Sequence, residues 1–552
     1  MPPSPERRVE TTAPRAATTP EARRRLLEDE PLPENIGALL DAAANRWGGR
    51  QAWSFFEDGL SITYRALSER VNRVANALGA IGVGKGTHVG VMLPNIPEFP
   101  LTWLALAKLG AVMVPINIDY RDRDLGYVLN DSDSEYLVIK ADYVPFLERL
   151  GDRPERLTDD RVVVLGGDHP VYEHDWTAMV KAASPRFAAR DRLGLDDLVN
   201  IQYTSGTTGF PKGCMLSHRY WLLLGKIAAV QMGFTPRRVL VDQPFFYMGP
   251  QWRLMLVLYG GGAIYVARRY SLNRFLEWIS AYKVDHATFF EAVCKLPESP
   301  LDRAHELRAV SIFGLGKDAH AVLEKRFNVV AREAYGMTEI GACLYMPVED
   351  THMVGSGSCG IPSPLRECKI AGPDGRPVAQ GEVGELWVSG PGMLKGYYNK
   401  PEATAAAFHG RWFRTGDLFR QDERGYYYII GRLKDMIRRS GENIAASEIE
   451  AVLNSIPEIQ ESACVPVPDE LRGEEVKAYV ALRPGVEPSE DLLERIFGFC
   501  AERLARFKLP RYVEFVERFP RTGPEKIAKD ELTKRKRDLR TGSYDRVDGV
   551  WR

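Results

Sequence analysis

The chain has 552 residues, of which 45% are hydrophobic and 27% are charged, and its 73 lysines and arginines nearly balance its 74 aspartates and glutamates. This length predicts about two to four domains with large buried cores. The formal net charge of −1 excludes the cation surplus with which general nucleic-acid binders contact phosphates. The longest nearly apolar stretch, residues 254–267, is interrupted by glycines and is too short for a membrane-spanning helix.

Cysteine and histidine are sparse and scattered along the chain. The seven cysteines include no C-x-x-C pair, and the nine histidines include no H-E-x-x-H motif. These patterns predict neither a disulfide framework nor a zinc site, and a reducing cytoplasm is the simplest location. A metal ion held by protein ligands alone is not expected.

The first part of the chain alternates between helical and strand patterns. Residues 1–30 mix Pro, Ala, Thr and charges of both signs without apolar periodicity, which predicts a flexible tail. Helical spacing of apolar residues then alternates with short apolar strands at 89–93, 111–115, 136–139, 161–165, 240–242, 263–266 and 309–312. Strands separated by helices predict layered α/β subdomains with mostly parallel sheets.

The pattern of predicted secondary structure changes twice in the rest of the chain. From about residue 359, short strands and glycine-rich turns predict a β-rich subdomain that extends to residue 433. From residue 434, a helix at 446–453, a strand at 478–482 and a helix at 490–504 predict a small α+β domain. The expected organisation is a tail, an N-terminal domain at 31–433, and a C-terminal domain at 434–552.

The most informative segment is a glycine-rich loop. A predicted strand at 198–203 leads into the residues Y-T-S-G-T-T-G-F-P-K-G at 203–213. Such a loop can turn backbone N–H groups toward an anion, and its hydroxyls and its lysine add further donors, so phosphate is the natural ligand. The loop lacks the G-x-x-x-x-G-K-[ST] pattern, so the fold of P-loop NTPases does not follow. On its own, the loop is equally compatible with a surface turn.

Six further motifs follow in a fixed order. They are Y-G-M-T-E at 335–339, G-E-L-W-V-S-G at 384–390, W-F-R-T-G-D at 412–417, G-R-L-K-D at 431–435, S-G-E-N-I at 440–444 with E-I-E at 448–450, and P-R-T-G-P-E-K-I at 520–527. Together with the glycine loop, residues 36–535 resemble the adenylate-forming superfamily. This superfamily contains acyl-CoA synthetases, the adenylation domains of nonribosomal peptide synthesis, and beetle luciferases.

The resemblance implies a fold and a reaction. The expected fold is a large α/β body with a β-rich subdomain and a small mobile α+β lid. The expected reaction joins a carboxylic acid to ATP, giving acyl-AMP and pyrophosphate, and then transfers the acyl group to coenzyme A with release of AMP. Bringing two anions together requires positive charge and Mg²⁺. ATP, Mg²⁺, coenzyme A and a small carboxylic acid are therefore the expected ligands.

The resemblance also implies a set of nucleotide-binding residues. They are Thr204, Ser205, Gly206, Thr207, Thr208, Gly209, Lys212, Tyr335, Gly336, Thr338, Asp417, Arg432 and Lys526. Lys212 and the loop hydroxyls would hold the β- and γ-phosphates, and Thr338 would donate to the α-phosphate. Glu339 would ligate Mg²⁺, whose preferred ligands are carboxylate oxygens.

Other nucleotide contacts follow from the same pattern. Tyr335 would stack on adenine, Asp417 would accept hydrogen bonds from the ribose hydroxyls, and Arg432 would assist at the ribose and phosphate end. Lys526 would bridge the acyl carboxylate and the α-phosphate during adenylation. Together with Lys212, Thr338 and Glu339, it completes the predicted catalytic set.

Structural alternatives remain open for several of these residues. Asp417 could be a turn residue after Gly416, and Thr338 with Glu339 could begin a helix. Lys526 could belong to the solvated basic tail that follows it. Glu525 stands where the family has a glycine, which places a negative charge beside the lysine.

The C-terminal domain carries the predicted coenzyme A residues. One lid position is not expected to serve both half-reactions, so the family pattern makes Lys434 the hinge. Ser440 and Gly441 would line the path of the pantetheine arm. Arg472, Lys508 and Arg511 would meet the nucleotide phosphates, although each fits a solvated helix or loop end equally well.

The acyl pocket is the least determined part of the site. Its candidate residues are Tyr247, Trp252, Phe313, Gly314, Gly316 and Gly341. Their aromatic character suits a short or quaternary-ammonium acyl group through cation–π contact, although core packing explains it equally well. The local pattern resembles the carnitine- and crotonobetaine-CoA ligase branch. Short, betaine-like, fatty and aryl acids all remain open.

Three other functions share the nucleotide motifs. A stand-alone adenylation enzyme would load a carrier protein instead of coenzyme A. A luciferase-like oxygenase is disfavoured because the sequence does not end in S-K-L. A pseudo-ligase would bind nucleotide without catalysis, and Glu525 is the feature that favours it. The sequence leaves the oligomeric state open, a homodimer included.

Overall fold

The computed structural model describes residues 19–167, 169–204, 211–439, 442–470, 472–504, 506–522, 526–534 and 536–552. Within this part, the side chains of residues 434, 438, 442, 443, 522 and 526 are not described. The chain forms two compact units. Unit 1 contains the described residues up to Thr204 together with Pro211–Glu367 and Val388–Phe413. Unit 2 contains the described residues of Cys368–Trp387 and Arg414–Arg552.

The helices and strands follow the predicted alternation. The α-helices are α1 Pro20–Asp29, α2 Ile36–Trp47, α3 Tyr64–Ala80, α4 Glu98–Leu109, α5 Asp122–Asp131, α6 Val144–Glu148, α7 Trp176–Ala182, α8 His218–Val230, α9 Met248–Gly260, α10 Phe275–Ala281, α11 Glu291–Cys294, α12 Lys317–Phe327, α13 Pro401–Ala407, α14 Ala446–Asn454, α15 Glu490–Arg503 and α16 Lys529–Lys534.

The strands up to residue 362 are β1 Gln51–Phe55, β2 Leu60–Thr63, β3 His88–Met92, β4 Val112–Pro115, β5 Tyr136–Lys140, β6 Val162–Leu165, β7 His174–Asp175, β8 Leu198–Thr204, β9 Lys212–Ser217, β10 Arg238–Val241, β11 Ala263–Val266, β12 His286–Thr288, β13 Ala309–Ile312, β14 Val330–Met337, β15 Gly341–Tyr345 and β16 Ile361–Pro362. The later strands are β17 Glu367–Ala371, β18 Gly384–Ser389, β19 Phe408–His409, β20 Trp412–Gln421, β21 Tyr427–Arg432, β22 Met436–Arg439, β23 Glu442–Ala445, β24 Ile459–Asp469, β25 Gly473–Leu482, β26 Tyr512–Phe515, β27 Arg521–Thr522, β28 Lys526–Ile527, β29 Tyr544–Asp545 and β30 Val550–Trp551.

Two large sheets organise unit 1. One has the strand order β16-β15-β14-β13-β12-β10-β11-β1-β2, and the other has the order β7-β6-β5-β3-β4-β8-β9. Their central strands pair in parallel, for example β13 with β14 and β3 with β5. Antiparallel pairs close the sheets, including β14 with β15 and β8 with β9. The predicted α/β class with mostly parallel sheets is confirmed.

The cores of unit 1 explain why short apolar runs form its strands. Every residue of β6, Val162–Leu165, is buried, as expected for a parallel strand covered on both faces. Helix α4 is buried from Phe99 to Leu109, because its residues are apolar on nearly all sides. Next to the first sheet, the Phe289 ring lies edge-on to Phe275 and Phe327, with ring centres 5.0 and 5.2 Å away.

Unit 2 has a smaller mixed architecture. Its seven-stranded sheet has the order β23-β22-β25-β26-β29-β30, with β24 also paired to β25. Strands β25 and β26 are parallel, whereas β24 and β25 form a long antiparallel pair. Helices α14 and α15 contribute Ile449, Leu453, Leu492 and Ile496 to the core of this unit. The predicted α+β character of the C-terminal region is confirmed.

The predicted tail is wrong for residues 20–29, which form helix α1. The Thr19 hydroxyl caps this helix by accepting a 3.2 Å hydrogen bond from the Ala22 amide. Leu27 is buried, and the Arg23 guanidinium pairs with Glu349 at 2.7 Å. Because most residues of α1 are polar, the helix has no apolar periodicity, and long-range contacts hold it in place. Residues 1–18 lie outside the described part.

The predicted domain boundaries differ from the compact units. Residues 368–387 and 414–433 fall within the predicted N-terminal domain, but they cluster with unit 2. The predicted boundary at residue 434 was placed at the predicted hinge residue, Lys434. This boundary stays a prediction. No helix in the described part of the chain is both long and apolar enough to span a membrane.

Candidate active site

The strands that flank the glycine loop form an antiparallel pair. Strand β8 ends at Thr204 and β9 begins at Lys212, and these two residues are opposite each other. The Thr204 hydroxyl donates a 3.5 Å hydrogen bond to the Lys212 carbonyl. The predicted phosphate residues Ser205, Gly206, Thr207, Thr208 and Gly209 lie outside the described residues, so their role stays a prediction.

Tyr397 connects two of the predicted catalytic side chains. Lys212 Nζ lies 4.9 Å from the centre of the Tyr397 ring. The Tyr397 hydroxyl donates a 3.0 Å hydrogen bond to Glu339 Oε1. Burial raises the pKa of Tyr397, and the Glu339 carboxylate raises it further, so the phenol remains a donor. The structure therefore brings the predicted phosphate-binding cation and the predicted Mg²⁺ carboxylate to one tyrosine side chain.

Tyr397 reaches this position because its segment runs along β9. The Lys395 amide donates to the Met215 carbonyl at 2.9 Å, and the Tyr398 amide donates to the Gly213 carbonyl at 2.8 Å. Tyr397 was not predicted from the sequence. Its only local signal is a tyrosine pair after Gly396, and tyrosine has too many structural roles for that signal to identify a site.

The turn between β14 and β15 carries Thr338 and Glu339. These residues form a turn and not the beginning of a helix, which removes that structural alternative. Glu339 is 7% exposed, and Gly341 has a φ of +67°. A Cβ atom at Gly336 would lie 2.4 Å from the Gly341 carbonyl oxygen, so only glycine allows the two strands to approach this closely.

A cavity of about 320 Å³ in unit 1 lies beside this turn. The predicted residues that line it are Trp252, Phe313, Tyr335, Gly336, Thr338 and Gly341. Apolar residues of α8 and α9 form much of the remaining wall, among them Leu224, Ile227 and Met248. The lining contains no Asp, Glu, Lys or Arg among the described residues. The cavity therefore joins a predicted adenine residue, Tyr335, to predicted acyl residues.

Tyr220 is a lining residue that the sequence analysis missed. It belongs to α8, and its ring lies 3.6 Å from the position of a Cβ atom at Gly341. Within the described part, its buried hydroxyl has no hydrogen-bond partner. Burial raises the pKa of Tyr220, so this hydroxyl remains a donor. It adds one polar group to a mostly apolar wall.

Three predicted acyl residues do not line this cavity. Tyr247 precedes α9, and its ring packs against Phe246 with centres 4.6 Å apart. Gly314 and Gly316 lie in the loop after β13. The Glu333 carboxylate holds this loop by accepting a 2.6 Å hydrogen bond from the Gly314 amide. Burial raises the pKa of Glu333 to about 7. Tyr247, Gly314 and Gly316 remain predictions without a contact to this cavity.

A buried chain of amides positions β8, which leads into the glycine loop. The Trp103 indole donates to Asn200 Oδ1 at 2.9 Å, and the Asn200 amide donates to Gln251 Oε1 at 3.1 Å. Gln251 in turn donates to Gln202 Oε1 at 3.2 Å. These bonds link α4, β8 and α9. Buried polar groups that satisfy one another in this way specify one arrangement of their elements.

In unit 2, Asp417 and Arg432 form a pair across β20 and β21. The two residues are opposite each other in the strand register, and Arg432 Nε lies 3.2 Å from Asp417 Oδ1. Asp417 is 4% exposed and lies within β20, so it is more than the turn residue that the alternative proposed. Asp417 is therefore a buried hydrogen-bond acceptor whose negative charge is balanced by Arg432.

Glu385 holds the segment that leads to Asp417. Its Oε1 accepts a 3.0 Å hydrogen bond from the Gly416 amide, and its Oε2 accepts bonds from Trp387 Nε1 at 2.8 Å and Arg414 Nε at 3.2 Å. Gly416 has a φ of +70°, in the region that favours glycine. Glu385 lies within the G-E-L-W-V-S-G motif at 384–390, but the motif alone does not predict this role.

The predicted coenzyme A cations of unit 2 all have carboxylate partners. Arg472 lies 3.1 Å from Glu475, and Lys508 donates to both oxygens of Glu448 at 2.7 Å. Arg511 pairs with Asp545 at 3.2 Å. Binding of coenzyme A phosphates by these three cations stays a prediction, and it would compete with these ion pairs.

The remaining predicted residues of unit 2 are described in part or not at all. Lys434 lies in a single helical turn, Leu433–Asp435, and Lys526 lies opposite Thr522 in the short β27–β28 pair. Ser440, Gly441 and Glu525 lie outside the described residues. The hinge, pantetheine and adenylation roles of these residues stay predictions.

A family model described as AMP-binding enzyme matches residues 40–398, and a model described as AMP-binding enzyme C-terminal domain matches residues 448–526. The chain belongs to the AMP-binding enzyme family. The first of these two matches covers more than half of the chain and includes Lys212, Tyr335 and Glu339. The resemblance drawn from the sequence motifs is confirmed.

Relatives of this family member are acid–CoA ligases. The chain is 31% identical over 521 residues to a crotonobetaine/carnitine–CoA ligase from Salmonella agona, with 90% of this chain and 99% of the relative covered. Among solved structures, it resembles ATP-bound MatB from Rhodopseudomonas palustris, with a TM-score of 0.81, 28% identity, and 91% of this chain and 98% of the other covered.

It also resembles the o-succinylbenzoate CoA synthetase from Bacillus subtilis in complex with its acyl-adenylate intermediate, with a TM-score of 0.78, 25% identity, and 91% and 98% of the two chains covered. The predicted reaction class, an ATP-dependent acyl-CoA synthetase that forms AMP, is confirmed.

The Glu339 environment of this AMP-binding enzyme fits one magnesium ion held with the substrate. Glu339 is a buried carboxylate, and Tyr397 donates to one of its oxygens. Among the described residues, no group of three or more His, Cys, Asp and Glu side chains gathers around one point. Mg²⁺ commonly binds to one or two carboxylates and to substrate phosphates, and this donor set is compatible with that arrangement.

Proposed function

We propose that this enzyme activates a small to medium-sized monocarboxylic acid and transfers its acyl group to coenzyme A. Apart from the reacting carboxylate, the acid is uncharged and largely apolar. The proposal rests on the cavity lined by Trp252 and Tyr335, whose described wall is mostly apolar and carries no charged side chain. Its volume of about 320 Å³ is near the lower end for small-molecule sites. A second charge on the acid would be buried there without a counter-ion.

The residues of unit 1 support the first half-reaction. A carboxylate oxygen of the acid attacks the α-phosphorus of ATP, the bond to the β-phosphate breaks, and pyrophosphate leaves. Lys212 would stabilise the leaving phosphates, and Thr338 would donate to the α-phosphate. Glu339, oriented by Tyr397, would hold Mg²⁺, which neutralises phosphate charge. Tyr335, in the cavity wall, would stack on the adenine base.

The second half-reaction needs no protein nucleophile. The coenzyme A thiol loses its proton, its sulfur attacks the acyl carbonyl carbon, and AMP leaves with the electron pair of the broken bond. Cys214 lies beside the predicted catalytic residues, but burial raises its pKa well above the ordinary value, so its thiol stays protonated. All seven cysteines are free thiols, which supports the proposed cytoplasmic location.

A betaine-type acid is the second candidate. Trp252, Phe313 and Tyr220 place aromatic rings around the cavity, and such rings bind quaternary ammonium groups by cation–π contact. The 31% identity to a crotonobetaine/carnitine–CoA ligase also favours this candidate.

An isosteric pair of acids separates the two candidates. Crotonobetaine carries a trimethylammonium group, and 5,5-dimethylhex-2-enoate has the same shape with carbon in place of nitrogen. Pyrophosphate release and thioester formation would be measured for both acids, together with hexanoate, benzoate and the dianion succinate. The proposal predicts that kcat/KM is higher for the neutral isostere, hexanoate and benzoate than for crotonobetaine and succinate. A preference of about tenfold or more for crotonobetaine, lost in Trp252→Leu, would establish the second candidate.

The acceptor and the role of Lys526 need a separate test. With coenzyme A, thioester and AMP should accumulate together, whereas transfer only to a carrier protein would overturn the coenzyme A assignment. We expect Lys526→Ala to suppress acyl-AMP formation and largely spare thioester formation from supplied acyl-AMP. Lys534→Ala, an exposed lysine in the same tail, is the matched control and should retain both steps.

A further inference from the structure

A second cavity in unit 1, of about 600 Å³, lies among α1, α2, α8, α9 and residues 234–237. We propose that it binds a small organic anion, in which a carboxylate or phosphate head is attached to a hydrocarbon body. The cavity contains none of the residues assigned above to ATP, Mg²⁺, coenzyme A or the acyl group. Its volume lies within the usual range for small-molecule sites.

The charge of the lining favours an anion. Arg46, Arg50 and Arg237 line the cavity, and in the described part of the chain none of the three has a carboxylate partner within 4.0 Å. Glu30 is the acidic residue of the described lining, and its carboxylate lies 3.6 Å from Lys226 Nζ. The N–H groups of an arginine guanidinium can donate two parallel hydrogen bonds to a carboxylate or a phosphate. Arginines without a carboxylate partner at one cavity are therefore suited to bind either head group.

The rest of the wall fits a hydrocarbon body. Leu26, Leu39, Phe234 and Leu258 contribute apolar surface from four different segments. Tyr259 also lines the cavity, and its buried hydroxyl has no hydrogen-bond partner in the described part. An unpaired buried hydroxyl is uncommon in a folded protein, and a bound ligand would account for it.

Helix α1 completes the wall because Lys226 holds it in place. The Lys226 ammonium is buried and donates to the carbonyl oxygens of Leu27 at 3.3 Å and of Glu30, at the C-terminal end of α1. A cation at this end of a helix satisfies carbonyls that have no partner within the helix. The cavity wall is therefore built by specific contacts between α1 and α8.

The two cavities of unit 1 lie on different faces of α8. Ile227, Ala228 and Gln231 line the cavity of about 320 Å³ beside the β14–β15 turn, called the acyl cavity here, whereas Lys226, Ala229 and Val230 line the second cavity. Filling one cavity with a side chain is therefore compatible with an open second cavity. This separation allows binding at the two sites to be measured independently.

The test uses the full chain and three probes with the same hydrocarbon body. Dodecyl phosphate, dodecanoate and the neutral dodecanol would be titrated by calorimetry below their aggregation concentrations, with inorganic phosphate as a head group alone. We expect saturable binding of one or both anions and much weaker binding of dodecanol. If only one of the two anions binds, either dodecyl phosphate or dodecanoate, that result identifies the preferred head group.

Variants locate the binding. In Arg50→Gln/Arg237→Gln, the affinity for the anion should fall by about tenfold or more, because two charge-assisted contacts are lost. Arg186→Gln/Arg190→Gln removes the same charge from exposed positions outside the cavity and should bind like the wild type. Ala228→Phe, which fills the acyl cavity, should also retain binding.

Three results would overturn the proposal. These are an absence of saturable anion binding to the wild type, equal affinity of dodecanol, and an unchanged affinity of the Arg50→Gln/Arg237→Gln variant. Thermal unfolding of each variant without ligand shows whether it is folded, so a loss of binding cannot be mistaken for a loss of structure.

Discussion

The Tyr397 hydroxyl donates a 3.0 Å hydrogen bond to Oε1 of Glu339. This contact joins residues 58 positions apart in the chain. It fixes the orientation of the carboxylate that the sequence motif predicts as the Mg²⁺ ligand, and the same ring faces Lys212. The predicted catalytic residues of unit 1 therefore contact a tyrosine that belongs to none of the motifs.

Tyr397→Phe should weaken the use of MgATP while leaving the ring beside Lys212. A hydrogen bond to a charged group contributes about 1.5–3 kcal/mol, so kcat/KM for MgATP should fall by about 10- to 100-fold. The Mg²⁺ concentration for half-maximal pyrophosphate exchange should rise. Tyr398→Phe is the control, because its hydroxyl donates instead to the exposed Asp133. Equal losses in both variants would contradict the role of Tyr397.

Gly336→Ala should disrupt the turn that carries Glu339. The added Cβ atom would lie 2.4 Å from the Gly341 carbonyl oxygen, so β14 and β15 would have to separate. We expect a loss of more than about 2 kcal/mol in stability or a misplaced turn with little adenylation activity. Thermal unfolding and pyrophosphate exchange would measure the two effects. Gly79→Ala in α3 is the control and should be tolerated, because its added Cβ atom would lie 3.5 Å from Leu109 Cδ2, an ordinary contact distance. A Gly336→Ala variant that is equally stable and active would refute the steric argument.

Glu385→Gln should raise the KM for ATP more than it lowers kcat. The carboxylate accepts hydrogen bonds from the Gly416 amide, Trp387 and Arg414, and the neutral amide would weaken this hold on the segment before Asp417. We expect an increase in KM of about tenfold. Glu382→Gln changes an exposed carboxylate nearby in sequence and serves as the control. An unchanged KM would show that Glu385 does not position the predicted ribose residue.

Glu333→Gln should change how stability depends on pH. Burial raises the Glu333 pKa from 4.5 to about 7, so the folded chain keeps a proton that the unfolded chain releases between these values. This residue therefore makes the wild type less stable as the pH rises from about 4.5 to 7. The variant lacks that contribution.

The stability of Glu333→Gln relative to the wild type should increase across this range by about 3 kcal/mol. Urea unfolding of both proteins at several pH values would measure the difference. Glu306→Gln, at an exposed carboxylate, should show no comparable trend. A constant difference between Glu333→Gln and the wild type would rule out the raised pKa.

Local patterns predicted much of the fold. The strands expected at 89–93, 136–139 and 263–266 correspond to β3, β5 and β11 within one or two residues at each end. Apolar periodicity predicts such elements because each strand buries its own side chains. Helix α1 was missed because it is held by a distant ion pair between Arg23 and Glu349 and by burial of Leu27.

The candidate site was predictable only in part. Tyr335, Thr338 and Glu339 belong to one short motif. The structure places Tyr335 near the end of β14 and the other two residues in the turn that follows, and Tyr335 and Thr338 line one cavity. Tyr220 and Tyr397 belong to no motif that the sequence analysis used. Their roles depend on which distant segments pack against β9, α8 and the β14–β15 turn.

The sequence alone determined the reaction class, because the residue types that bind phosphate and Mg²⁺ occur in short ordered motifs. It also determined the alternation of helices and strands, since periodicity is a property of neighbouring residues. Only the tertiary structure decided which side chain orients Glu339, which residues surround the cavity beside the β14–β15 turn, and that a second, arginine-lined cavity lies beyond α8. Hydrogen-bond partners and cavity walls come from segments far apart in the chain, and packing alone brings them together.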